Sequence, residues 1–175
     1  MTDRHLVLLR HAKSAWDAPD LPDHARPLAE RGQRAGAAMR RWLEQGRVPR
    51  PDLILCSDAV RAVQTLALVH PAWRADPPPL ALRGDLYAFA PGPLLAALTA
   101  LPQAVGTVLL IGHNPALEEL AEGLIAGGDP VARGRLQAKF PTAALAHLTL
   151  TGATWADLGS GRCDLAAFIR PADLI

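Results

Sequence analysis

Apolar runs that stop abruptly at polar residues set the pattern of this chain. Leu6-Val7-Leu8-Leu9 ends at Arg10-His11-Ala12, and Leu53-Ile54-Leu55-Cys56 ends at Ser57-Asp58-Ala59-Val60-Arg61. Val108-Leu109-Leu110-Ile111-Gly112 ends at His113-Asn114-Pro115. Short, continuous apolar runs bounded by polar residues predict strands buried on both faces, as in a parallel sheet. In open α/β sheets, ligands bind outside the carboxyl ends of such strands. The pattern therefore predicts one sheet edge that carries Arg10, His11, Arg61 and His113.

Helical periodicity fills the intervals. Leu28, Gly32, Ala35, Gly36, Met39, Trp42 and Leu43 recur at three-and-four spacing, with charged residues opposite, until Gly46 and Pro49. A second helix, with Ser57 as its N-cap, carries Val60, Val63, Leu66, Ala67 and Val69 and stops near Pro71. A third begins at Pro93 and turns Leu94, Leu95, Leu98 and Leu101 inward. Asn114 followed by Pro115 reads as the N-cap and first position of a fourth.

The remaining segments read as loops and late strands. Residues 12–27 are a polar loop, 71–92 are irregular with one edge strand at Leu80-Ala81-Leu82, and 127–141 are a loop. Residues 145–150 and 163–169 read as antiparallel strands with Trp155 between them. The expected fold class is α/β: a three-layer sandwich with a mixed, mostly parallel central sheet and helices on both faces. With no repeat and no linker, residues 1–175 are expected to form one domain.

Composition then narrows the partners. Half of the residues are hydrophobic and 20% are charged, as in a globular protein. A net charge of +1 gives no bulk electrostatic case for nucleic acid or a membrane surface. The apolar run after Asp3 and Arg4 is cut short by Arg10, unlike a signal peptide, and no run approaches a membrane span. A cytoplasmic enzyme is expected. Cys56 and Cys163 are too few for a disulfide framework, and their pairing stays open. The histidines lack metal-ligand spacing, so neither a metal nor another cofactor is expected. His5, His24, His70 and His147 read as structural or exposed.

The predicted edge suits phosphoryl chemistry. A neutral imidazole attacks phosphorus and splits one hard displacement into two easier ones. Guanidinium forks from Arg10 and Arg61 match phosphate oxygens, and their charge disfavours the protonated form of His11. His113 precedes a helix start, itself a favourable place for an anion. Ser14 and Arg26 are further candidates near the pocket, with turn or surface roles as alternatives.

These motifs resemble a known family. LLRHAKSAW, then SDAVRAVQT, then LLIGHNP, at intervals of about fifty residues, resemble the histidine phosphatase superfamily. Within it the small, bacterial SixA-like phosphohistidine phosphatases are most similar, and the likeness extends through RPLAERG and FPTAALA. The resemblance implies that His11 is a nucleophile that becomes phosphohistidine, and that Arg10, Arg61 and His113 form the phosphate pocket.

Two positions depart from relatives. Asp17 stands where phosphoglycerate-mutase-like members carry a phosphate-contacting Asn, so it is expected to turn away or serve otherwise. Ala88 follows Leu86-Tyr87 where many relatives carry a glutamate acid, leaving Asp85 as the nearby carboxylate. Ala88→Glu is then expected to restore a proton donor. The function expected is a metal-independent phosphatase acting on phosphohistidine of a protein, or on another accessible phosphate. A phosphatase of small phosphate esters and a catalytically weak phosphate-binding regulatory module are the alternatives.

Overall fold

The computed structural model describes residues 3–175. Among them are strands β1 (Arg4–Arg10), β2 (Leu53–Ser57), β3 (Leu80–Arg83), β4 (Thr107–Gly112), β5 (Ile125–Gly128), β6 (Leu145–Leu150) and β7 (Cys163–Ile169). They form one sheet in the order β3-β2-β4-β1-β6-β7-β5. The pairs β3-β2, β2-β4, β4-β1 and β7-β5 are parallel, and β1-β6 and β6-β7 are antiparallel. This is the mixed, mostly parallel sheet that the apolar runs predict.

Alternation along the strands divides the core into two layers. Val7 and Leu9 of β1 face one side with Ile54, Cys56, Leu109 and Ile111. There they pack on α1 (Glu30–Leu43) and α2 (Val60–Val69) through Met39, Trp42, Leu43, Leu66 and Val69. Leu6 and Leu8 face the other side with Leu55, Val108 and Leu110. That layer is closed by α3 (Pro91–Thr99), α4 (Ala116–Leu124) and α5 (Pro130–Ala138). Cys56 and Cys163 are both buried and free, in clusters on opposite faces of the sheet. They do not pair.

Several local expectations are corrected. Residues 127–141 are not a loop: they hold the end of β5 and all of α5, whose N-cap Asp129 accepts from Val131 and Ala132 N–H. Helix α5 buries only Ala132 and Leu136, too sparse an apolar face for periodicity to reveal. The third helix starts at Pro91, two residues before the expected Pro93. Ser57 is the last residue of β2, and the N-cap of α2 is Ala59. The Asn114–Pro115 peptide is cis, and Pro115 rather than Asn114 caps α4. Finally, α2 turns Arg61, Ala62, Thr65, Leu66 and Val69 inward, whereas Val60, Val63 and Ala67 lie outside its buried face. A helix whose first turn reaches the sheet edge can point polar side chains inward there.

One glycine shows how tightly the edge is built. A Cβ at Gly32 would stand 2.2 Å from Lys13 O, so only glycine lets α1 lie against the segment that follows His11. The same carbonyl accepts from Ala29 N–H at 2.9 Å, and Ala15 N–H donates to Pro27 O at 2.8 Å.

Away from that edge, β1 and β6 bury a histidine pair. His5 Nδ1 and His147 Nε2 are 3.0 Å apart, one donating and the other accepting. Burial, then the His5 charge, pushes the His147 pKa down to about 4. An unfolded chain takes up this proton near pH 6.5, whereas the fold resists it until about pH 4. Stability contributed by neutral His147 is therefore full above pH 6.5, falls as the pH drops toward 4, and levels off below. The full change is on the order of 3 kcal/mol. Urea unfolding at pH 7 and pH 4 should show a smaller acid loss in His147→Gln than in the unmodified protein. Equal losses would remove His147 from the acid response.

Candidate active site

Four parallel strands deliver their carboxyl ends to one edge. The central strand β4 pairs with β1 so that Gly112 lies beside Arg10, and with β2 so that Ile111 lies beside Cys56. Arg10-His11, Ser57 and His113 are thus neighbours by register, and the first turn of α2 adds Arg61. All four residues expected at the site are brought together. The end of β3 adds a short turn, Gly84–Leu86, and then Tyr87.

His11 is fixed in one tautomer. Its Nδ1 lies 2.7 Å from Ala12 O, and a carbonyl can only accept, so Nδ1 carries the hydrogen. The lone pair is left on Nε2, toward which Arg61 Nε donates at 3.3 Å. Burial chiefly, with Arg61 and Arg10 adding to it, lowers the His11 pKa to about 4. At pH 7 the ring is therefore neutral, with an available nucleophilic nitrogen. The backbone around it is held on three sides. His11 N–H donates to Gly112 O, Ala12 N–H donates to Thr65 Oγ1, and Ala143 N–H reaches the carbonyls of Arg10 and His11. Ala143 does this with φ of 60°, a left-handed conformation that is uncommon outside glycine and gathers at functional sites.

The second histidine is held as firmly. His113 is 1% exposed, its ring centroid lies 5.0 Å from that of His11, and its Nε2 is 2.8 Å from Ser57 Oγ. Ser57 Oγ accepts from Ala59 N–H, so its own hydrogen is free to donate to His113 Nε2. That tautomer puts a hydrogen on His113 Nδ1, which is buried with no partner among the described residues. Burial, then His11 and Arg61, lowers the His113 pKa to about 3, so it too is a neutral donor at pH 7.

The arginines differ in how they are held. Arg10 Nη1 donates to Phe140 O at 2.8 Å, and its buried Nε has no partner among the described residues. Burial lowers its pKa, opposed by Glu118. Arg61, 5% exposed, is clamped by Asp23: Nη1 donates to Asp23 O at 2.6 Å and Nη2 to Asp23 Oδ2 at 2.9 Å. Two of its five N–H donors remain uncommitted, besides Nε at His11. The Tyr87 hydroxyl donates to the same Asp23 Oδ2 at 2.5 Å and, with Arg61, holds that carboxyl below its ordinary range.

Buried neutral imidazoles beside two guanidinium groups are donors of the kind that suits an oxyanion. A family model for the histidine phosphatase superfamily (branch 1) matches residues 6–86. An uncharacterised protein of Mycobacterium tuberculosis is 40% identical over 166 residues, covering 93% of this chain and 99% of the relative. The structure of a putative phosphohistidine phosphatase SixA from Nakamurella multipartitia covers 98% of both chains at 32% identity, with a TM-score of 0.82. This chain belongs to the histidine phosphatase superfamily. A further superfamily neighbour, the protein histidine phosphatase SixA complexed with tungstate, is 28% identical over 98% of this chain and 99% of its own, with a TM-score of 0.75.

The other candidates in this superfamily member are placed less centrally. Ser14 is buried and bridges to Leu28 through its backbone. Asp17 is exposed, and no hydrogen bond or ion pair involves it among the described residues. Arg26 stacks its guanidinium 4.0 Å from the Trp16 ring centroid and lies 3.6 Å from Asp23 Oδ1. Asp85 is exposed and held by Arg83 at 2.5 Å, which keeps its carboxyl ionised. Among the described residues no hydrogen bond or ion pair joins Asp85 to Arg10, His11, Arg61 or His113. Sequence reasoning missed Asp23 and Tyr87, and gave Ser57 a capping role instead of its contact with His113.

Ala88 also differs from expectation. It is 8% exposed and belongs to the core cluster with Leu86 and Leu94. A glutamate there would bury its carboxyl rather than restore a donor. Ala88→Glu is expected to lose on the order of 2–4 kcal/mol in urea unfolding. Unchanged stability with faster alkyl-ester hydrolysis would instead place position 88 at the reacting atoms.

Proposed function

We propose that this protein is a metal-independent phosphatase that works through a phosphohistidine at His11, acting on phosphohistidine of a protein or on another accessible phosphate. The observation that carries the proposal is the His11 tautomer: Nδ1–H on Ala12 O and an Nε2 lone pair on the pocket side, beside Arg61. In the first step Nε2 bonds to phosphorus and the leaving group departs with the electron pair of its own bond. Charge on the transferring group is met by Arg10, Arg61 and His113 Nδ1–H. In the second step water attacks phosphorus and gives up a proton to solvent, the Nε2–P bond breaks with its electron pair returning to Nε2, and neutral His11 is restored. A metal has no required part in either step, so activity is expected to survive a chelator.

The leaving group decides the substrate class. Asp23 is ionised and engaged, Asp85 is tied to Arg83, and Ala88 is in the core, so none of these three positions offers a poised acid. Groups that leave readily, imidazole from phosphohistidine or a phenolate, suit such a site better than alkoxides. The experiment is a phosphate-release assay with a phosphohistidine-bearing protein, an aryl phosphate and common sugar phosphates. Turnover of the first two well above the sugar phosphates is expected. Preference for a sugar phosphate supports a small-ester phosphatase instead, and no release from any substrate supports a binding module.

A further inference from the structure

The mouth of the pocket carries a group of rings that the chemistry above does not use. Tyr87 is their hub. Its ring meets His24 at 4.9 Å, Phe89 at 5.1 Å and His113 at 5.2 Å, each close to edge-on. Its hydroxyl is anchored on Asp23, so the hub is fixed from both ends. Phe89 stands outermost. It is 50% exposed, yet its ring centroid is 6.1 Å from that of His113. A single exposed phenylalanine needs no explanation on a protein surface. One beside an otherwise buried imidazole that faces the reacting phosphate does.

Geometry limits what this ring can touch. His11 is 7% exposed, so attack by Nε2 drives the leaving group outward, away from the sheet edge and past the mouth. Phe89 is the exposed ring beside His113 at that mouth, and the neighbouring Ala88 is packed in the core. The side chain that Phe89 offers to this mouth is a ring with no titratable group. Aromatic rings attract one another when their centroids are about 4.5–7 Å apart in offset or edge-to-face geometry. We propose that Phe89, braced by Tyr87, forms the leaving-group subsite and selects substrates whose departing group is a planar ring, such as the imidazole of phosphohistidine. This assignment rests on the phosphatase reading above.

Paired substrates separate the ring from the lability of the bond. Phosphohistidine and phosphoramidate both break a P–N bond, with and without a ring. Aryl phosphate in the form of p-nitrophenyl phosphate and acetyl phosphate both release a good leaving group, again with and without an aromatic ring. Phe89→Ala is expected to lower kcat/KM about three- to tenfold for the two ring-bearing substrates. Phosphoramidate, acetyl phosphate and inhibition by inorganic phosphate should change less than about twofold, since none presents an aromatic ring to the subsite. Phe89→Trp should keep the preference for rings, and Phe89→Leu should lose it. Equal losses on all four substrates, or no loss on the ring-bearing pair, overturns the assignment of Phe89 alone. Failure of the unmodified protein to turn over any of the four overturns the phosphatase reading beneath it.

Discussion

His11→Ala is expected to reduce phosphatase turnover at least on the order of a thousandfold, because it removes the covalent route itself. The remaining groups are expected to bind an oxyanion still, so loss of binding is not the expected cause: tungstate or inorganic phosphate should still protect the variant against thermal unfolding. Structure predicts that the fold survives. The ring's hydrogen bond at Nδ1 is to the adjacent Ala12 O, while the backbone of residues 10–12 is held independently by Gly112, Ala143 and Thr65. Turnover within tenfold of normal in a folded His11→Ala protein would remove His11 as nucleophile.

Arg61→Ala should cost at least on the order of a hundredfold in kcat/KM, as for removal of one preorganised transition-state donor. Two effects act together. The guanidinium beside His11 Nε2 is lost, and Asp23 keeps only Arg26 and the Tyr87 hydroxyl against its negative charge beside the proposed phosphate site. A distinct signature accompanies the loss. Arg61 helps hold the His11 pKa near 4, so without it the acid limb of kcat/KM should move to higher pH. Arg61→Lys should recover only part of the rate, since an ammonium cannot reach both Asp23 and His11 as the fork does. Near-normal turnover, or an acid limb that stays in place, would count against a role for Arg61 in the pocket.

The strand ends were legible for a physical reason. A strand covered on both faces must be apolar throughout, so Arg10-His11 and His113 stand out where the cover stops. Their meeting at one edge follows from parallel neighbours, and the runs at 53–56 and 108–112 announced those. Other features had no such signature. Asp23 is one of three aspartates in a polar loop, with Asp17 and Asp20, and only the approach of that loop to α2 selects it. Tyr87 follows an irregular, proline-rich stretch in which no periodicity fixes a direction. The same lack of direction hid that Ala88 turns inward. Arg61 was found from its motif, but the helix face it shares with Thr65 was misassigned, because apolar periodicity weights Val60 and Val63 over residues buried for polar contacts. The FPTAALA segment could be matched but not interpreted. Phe140 O on Arg10 and Ala143 N–H on the strand end give it a purpose.

Covalent trapping tests the central claim most directly. The protein is mixed with substrate carrying labelled phosphorus, quenched within a turnover, digested, and its labelled peptide is sequenced. A phosphoryl group that is stable to base, labile to acid and located on the peptide containing His11 is the predicted result. Label on a serine or aspartate, or burst turnover with no labelled peptide under base quench, would contradict a phosphohistidine intermediate at His11.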